Sequence, residues 1–171
     1  SPASDASVTA SGELDGLRIR EAARALLLTP EAEVLLVRFE FPGGTRWALP
    51  GGGLDDGETH LDALRRELAE EIGMVDPDIG PHIWTRVHRI PFVNGMWDGQ
   101  RERVHLVRTE RFEPVPQLAP EQLEAEYVFE IRWWHADDIT DGLPFVPTTL
   151  AAHLGHLLLH GPPDRPWDVG V

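Results

Sequence analysis

Between Gly52 and Met74 the chain reads GGLDDGETHLDALRRELAEEIGM, a glycine- and aspartate-rich loop that runs into a segment crowded with acids. Glu67, Glu70 and Glu71 stand three and four residues apart, so on an α-helix their side chains leave one face within reach of a common point. Carboxylates gathered there repel one another unless counter-charge is supplied. An all-oxygen cluster suits Mg²⁺ or Mn²⁺, hard cations that keep some water and bridge to phosphate oxygens. Pro50 with Gly51, Gly52 and Gly53 spells a loop, and a loop ahead of a helix presents backbone groups to an anion or a metal. Gly73 reads as the C-terminal cap. Acid pairs on a helix ordinarily form only a solvated face. The flanking glycines, and Glu58 placed to reach Arg66 from the loop, set this run apart.

Upstream, residues 1–16 are small, polar and without periodicity, which predicts a disordered lead-in. Glu21 to Leu28 and Val34 to Phe39 read as a hairpin with an apolar inner face, followed by a loop at Pro42, Gly43 and Gly44 and a short strand at Trp47 to Leu49. Thr59 to Ile72 is the helix, with Leu61, Leu64, Leu68 and Ile72 along its burying side. Downstream, Asp76 to Pro81 is a connection. Ile83 to Phe92 and Arg103 to Phe112 alternate as strands of one long hairpin, joined through the turn signals of Val93 to Gln100. Pro114 to Leu123 reads as loop, Glu130 to His135 as strand, and Thr148 to His160 as a helix with Leu150, Leu154, Leu157 and Leu158 inward. One domain over residues 17–161 is expected, with residues 162–171 a Pro-rich tail. This element order predicts an α/β fold in which a mixed sheet lies between helices.

The chain has 171 residues, enough to bury a core in one domain. It has no cysteine, which excludes disulfides and thiolate metal sites, and no apolar run long enough for a membrane span or signal peptide, so a cytoplasmic location is expected. The basic residues are all arginine, which excludes Schiff-base and P-loop lysine chemistry. A formal charge of −14 argues against a nucleic-acid polymer as partner, because the surface repels phosphate on average. A small phosphorylated substrate is compatible with that charge when divalent cations reverse the local sign.

The run from Gly52 to Met74 resembles the Nudix box in full: Gly52, Glu58, Arg66, Glu67, Leu68, Glu70, Glu71, Gly73 and Met74 occupy its specified positions. The resemblance implies a Nudix-type α/β/α sandwich with a mixed central sheet, and a metal-dependent hydrolase that attacks phosphorus in a diphosphate linkage. It further implies that Glu70 and Glu71 are the main Mg²⁺ or Mn²⁺ ligands. Glu67 is then a further ligand or the base, the Gly51 carbonyl an additional ligand, and Arg66 the residue that orients the cluster with Glu58 as its partner. Family members often add a carboxylate from outside the box. Glu124, Glu126 and Glu130 are the candidates here, with Glu126 first and Glu130 second.

Gly52, Arg38, Trp47 and Trp97 are the candidate substrate contacts. Aromatics supply stacking platforms for a base or sugar, although core packing is the commoner use of Trp47, Trp84, Trp133 and Trp134. Adjacent Trp133 and Trp134 must point to opposite sides of a sheet, leaving one for a ligand or partner. Trp97, at the expected hairpin tip, is the hardest to bury. His153, His156 and His160 form one stripe on the last helix; zinc is conceivable there, but a solvated face is the simpler reading. Pro91 lies slightly beyond the offset at which the ADP-ribose branch of the family carries a proline.

Three functions compete. The first is hydrolysis of a nucleoside diphosphate linked to another moiety, with a nucleoside triphosphate close behind. The second is a nucleotide-sensing module without turnover, and such modules commonly lose box glutamates that are all present here. The third is an isopentenyl-diphosphate isomerase-like activity, which needs a cysteine this chain lacks. Dimerisation, common among relatives, makes a homodimer a further expectation.

Overall fold

A computed structural model describes residues 16–41, 43–89 and 96–170. Residues 1–15 of the expected lead-in, Pro91 and the first three residues of the expected turn, 93–95, lie outside the described residues. The strands are β1 (Ile19–Leu28), β2 (Glu33–Phe41), β3 (Gly44–Ala48), β4 (Gly51–Gly53), β5 (His82–His88), β6 (Gly99–Arg108), β7 (Val128–His135), β8 (Phe145–Val146) and β9 (Trp167–Asp168). The helices are α1 (His60–Ile72), α2 (Pro120–Ala125) and α3 (Leu150–His160), with a 3-10 turn at Ala136–Asp138. The strands form one mixed sheet in the order β8-β3-β2-β1-β6-β5-β9, with β4 on β1 and β7 on β2.

Strand β1 is the axis of the molecule. It runs parallel to β6 from Ile19 against Gly99 to Leu28 against Arg108, and meets β2 only near the turn, at Leu28 against Val34. The expected hairpin is therefore present at its tip, while most of β1 is paired with β6 and β4. The reason lies in the apolar run Ala22 to Leu28, which has two inner faces rather than one. Ala23, Ala25 and Leu27 meet Leu64, Leu68 and Ile72 of α1. Leu26 and Leu28 join Leu36, Val104, Leu106 and the α3 residues Leu150, Leu154 and Leu157 on the other side. A strand covered on both faces reads as a continuous apolar run because neither side meets water. Each such leucine contributes about 1.5–3 kcal/mol on burial, and the result is the expected sandwich of helices about a mixed sheet.

Several local expectations are corrected. Leu61 and Leu158 are exposed by 38% and 44%, because the covered stripes of α1 and α3 step through 64, 68 and 72 and through 150, 154 and 157. The end of the segment expected as loop, Pro114 to Leu123, belongs to the helix Pro120–Ala125, started by a proline at its first position. Antiparallel β5 and β6 do form a hairpin, with β6 beginning at Gly99. The Pro-rich end is not loose: β9 pairs with Trp84 and Thr85 of β5, and Val169 is buried. Thr149 Oγ1 donates to the Val169 carbonyl at 2.8 Å.

Candidate active site

The acids are delivered by α1, whose ends are set by local chemistry. Thr59 and Asp62 form a reciprocal capping box at its start. Gly73 ends it in the left-handed conformation at φ 73°, and any Cβ there would lie 2.1 Å from the Val115 carbonyl oxygen. Between these caps Leu64, Leu68 and Ile72 anchor the helix on the sheet. That anchoring carries Glu67 and Glu71 inward, to exposures of 9% and 2%.

The three glycines of β4 lie between β1 and these acids. Gly51, at φ 136°, presses on β1 so closely that a Cβ would sit 2.1 Å from the Ala23 oxygen. At Gly52 a Cβ would sit 2.6 Å from Glu67 Oε1, so the absence of a side chain makes room for a carboxylate. The Gly51 N–H donates to Glu71 Oε1 at 2.9 Å.

Arg66 is the hub of the outer part of the site. Its Nε and Nη2 donate to the two oxygens of Glu58, each at 2.8 Å. Nη1 donates to Glu67 at 2.9 Å and to Glu70 at 3.4 Å, while Nη2 also donates to the Gly53 carbonyl at 3.0 Å. The forked guanidinium is shaped for such bidentate pairing, and it holds the Glu58 carboxyl down at about 2. The expected Glu58 to Arg66 partnership is thus observed. The expected convergence of three acids is not: among the described residues no three acidic or imidazole side chains form a single metal-holding group. Arg66 Nη1 holds Glu67 and Glu70, while Glu71 turns to the Gly51 amide.

Electrostatics shows what the arrangement needs. Burial, followed by the charge of Glu67, pushes the Glu71 carboxyl up to about 8. Burial also raises Glu67 against the opposing pull of Arg66. Glu126, at the end of α2, is itself raised by burial and by the charge of Glu70, and its own charge raises both Glu67 and Glu71. The donor set suits a hard divalent cation: oxygen ligands only, among buried acids that raise one another's proton affinity.

The remaining candidates divide. Glu130 pairs with Arg38 at 3.3 Å, and Arg38 also holds Glu40 at 2.5 Å, so Arg38 is shared between two carboxylates of the sheet. Trp47 is 7% exposed and enclosed by Trp134, with the Arg132 guanidinium lying 4.8 Å over its ring, so it packs the core instead of offering an open face. Trp84 is likewise buried. Trp133 and Trp134 do point to opposite sides, but each packs against one of the two cores and neither is left open. Trp97 is half-buried beside Asp98, which binds Arg18. The histidine stripe is not purely solvated, because His156 lies 4.3 Å and His153 6.1 Å from the Trp167 ring.

Sequence reasoning missed a charged layer beneath the glycines. Arg24 donates through Nη1 to the carbonyls of Leu49 and Gly51 at 3.2 and 3.0 Å, and through Nε to Glu102 at 3.2 Å. Glu102 also meets Arg86 at 3.2 Å and Gln100 at 2.6 Å. The available signal was an arginine inside the otherwise apolar run of β1, a position that demands a buried partner.

Fold and site together define a loop-helix carboxylate scaffold on a mixed sheet with helices on both faces. The chain belongs to the NUDIX domain family, whose profile matches residues 18–156. It is 30% identical over 117 residues to Nudix hydrolase 25 of Arabidopsis thaliana, covering 61% of this chain and 65% of that protein. It is 35% identical over 102 residues to an RNA pyrophosphohydrolase of Helicobacter pylori, covering 53% of this chain and 64% of that protein. The chain thus spans just under two thirds of the length of these relatives. Among solved structures, a MutT NUDIX hydrolase from Burkholderia pseudomallei superposes with a TM-score of 0.60 at 25% identity, covering 80% of this chain and 98% of that one. The NUDIX domain of Shewanella oneidensis NrtR, complexed with ADP ribose, shares the fold with a TM-score of 0.62 at 20% identity, covering 91% and 98%. Among the described residues no helix is long and apolar enough to cross a membrane.

Proposed function

We propose that this chain is a divalent-cation-dependent pyrophosphohydrolase that acts in the cytoplasm on a small nucleotide-type substrate. The substrate class is a nucleoside diphosphate joined to a second moiety, with nucleoside triphosphates next in order. The observation that carries this reading is the buried pair Glu67 and Glu71, packed against a glycine loop with no room for side chains. Glu67, Glu70, Glu71, Glu126 and the Gly51 carbonyl would hold Mg²⁺ or Mn²⁺. When bound, the cation would neutralise phosphate oxygens and lower the pKa of water at the site.

The chain's own residues do the rest. Arg66 keeps Glu58, Glu67 and Glu70 in one arrangement. Glu67, with its raised proton affinity, is suited to accept a proton from attacking water. The bare backbone of Gly52 lets the Glu67 carboxylate lie directly against the loop, beside which a substrate phosphate would sit.

Names of relatives guide the substrate panel. Curated relatives include RNA pyrophosphohydrolases and a nucleoside triphosphatase, and one fold neighbour is an Ap4A hydrolase. The acidic surface favours small substrates over a polymer, so a 5′-triphosphorylated oligonucleotide belongs in the panel as the challenge to that reading. It joins ADP-ribose, nucleotide sugars, dinucleoside polyphosphates and normal and oxidised triphosphates. Release of phosphate, pyrophosphate or nucleoside monophosphate with Mg²⁺ is expected, with Glu70→Gln and Glu71→Gln each reducing turnover at least about a hundredfold in folded protein. Unaltered turnover in both variants would overturn the assignment. Tight nucleotide binding without turnover by the unmodified chain would instead make it a nucleotide-sensing module.

A further inference from the structure

Beneath the glycine loop lies a group that no part of the box supplies. Arg24 stands in the middle of β1, with its side chain 15% exposed, and its guanidinium reaches the carbonyls of Leu49 and Gly51 on either side of Pro50. Its Nε is tied to Glu102, whose side chain is 6% exposed and is gripped from the other directions by Arg86 and Gln100. Gly51 is therefore held at both ends: its N–H binds Glu71 and its carbonyl binds Arg24. The same glycine is pressed backbone to backbone on β1, with a hypothetical Cβ 2.7 Å from the Arg24 Cα. Loop, buried acid and buried cation form one connected unit.

We propose that Arg24 is a positioning residue for this site: braced by Glu102, it fixes the carbonyls around Pro50 and thereby sets how well the loop and Glu71 take up a divalent cation. A backbone carbonyl offers two lone pairs, so the bond from Arg24 orients Gly51 while leaving capacity for a second partner. Two rigid strands set the position, since Arg24 lies opposite Val104 in the parallel β1 and β6 pair and Glu102 is two residues earlier on β6. Glu102, 3.2 Å from Arg24 Nε, supplies the enclosed guanidinium with its counter-charge. Outer-shell groups of this kind commonly change metal affinity by 10–100-fold when removed.

The inference rests on the hydrolase reading, and the test separates the two. Mg²⁺ and Mn²⁺ binding to the full chain is measured by titration calorimetry, and kcat and KM are measured alongside, for the unaltered chain, Arg24→Met, Arg24→Lys and Glu102→Gln. Arg24→Met leaves Glu102 paired with Arg86 and Gln100, and Glu102→Gln keeps a hydrogen-bonding side chain at its position, so folding is checked on two independent variants. The expected result is a cation Kd raised at least about tenfold in Arg24→Met, with kcat falling more than KM rises, and partial recovery in Arg24→Lys. Glu102→Gln should weaken cation binding in the same direction. A lowered melting temperature with unchanged cation Kd and kcat would reduce Arg24 to a structural residue and overturn the proposal. Tighter cation binding in Arg24→Met would overturn it as well, by showing competition for the Gly51 carbonyl. Failure of the unaltered chain to bind either cation would instead bring down the hydrolase reading itself.

Discussion

Glu71 shows how far a single side chain can be moved from its solution chemistry by its place in a fold. Its carboxyl is pushed up to about 8, first by burial and then by Glu67. In the unfolded chain it releases its proton near the ordinary value of 4.5. Between those values the unfolded state binds fewer protons than the folded one, so stability is fully present at low pH and declines as pH rises toward 8. Urea unfolding in the presence of a chelator should show a loss on the order of a few kcal/mol between about pH 5 and pH 8, and Glu71→Gln should flatten that slope. A wild-type profile as flat as the variant's would count against the buried acid. Gly51 makes a second residue-scale case. Its φ of 136° and the 2.1 Å approach to the Ala23 oxygen leave no position for a Cβ. Gly51→Ala is expected to cost roughly 3 kcal/mol or more in a denaturation experiment, through backbone strain and displacement of β4. At this scale the box glutamates, Arg66 and Glu58 were legible because their spacing along one helix and its preceding loop fixes who can meet whom. Arg24 was visible only as an anomaly, since its partners Glu102, Leu49 and Gly51 come from distant parts of the chain.

Among the elements, α1 was read closely because its signals are local: a capping box, a periodic apolar stripe and a terminal glycine. Thr59→Ala removes the side-chain acceptor for the Asp62 N–H and should lower stability by about 1 kcal/mol in chemical denaturation. No change would mean that the rest of the helix holds its start without the cap. Elements defined by long-range pairing were harder to read. Strand β9 has only Trp167 and Asp168, too short to announce itself by periodicity, yet it seals the edge of β5 and lies against His153 and His156. Truncation before Pro163 should uncover Trp84 and remove buried Val169, lowering the melting temperature by roughly 4 °C or more. An unchanged melting temperature would return this segment to the status of a tail. The exposure of Leu61 and Leu158 has a similar origin, because which side of a helix faces the core within a broad apolar arc is settled by the sheet beneath it.

At the level of the whole molecule, a formal charge of −14 is spread over a chain that also buries Glu67 and Glu71 in one site. Sodium chloride should relieve the general repulsion modestly, whereas Mg²⁺ at equal ionic strength should stabilise further by binding the folded state alone. At a hundred times its Kd the added stability is about 2.7 kcal/mol, readable as a shift in thermal unfolding. Equal shifts from both salts would show that the acids act only through diffuse charge. The family, the sandwich architecture and the identity of the box acids were contained in the order of residues, because each rests on short-range spacing and on alternation of polar and apolar side chains. Packing across the sheet decided the rest. It put Trp47 in the core, paired Glu130 with Arg38, and brought Glu126 within electrostatic reach of Glu67 and Glu71. It also slid Arg24 under Gly51. Those contacts join segments far apart in the chain, and no local pattern encodes which of many compatible partners a buried charge will meet.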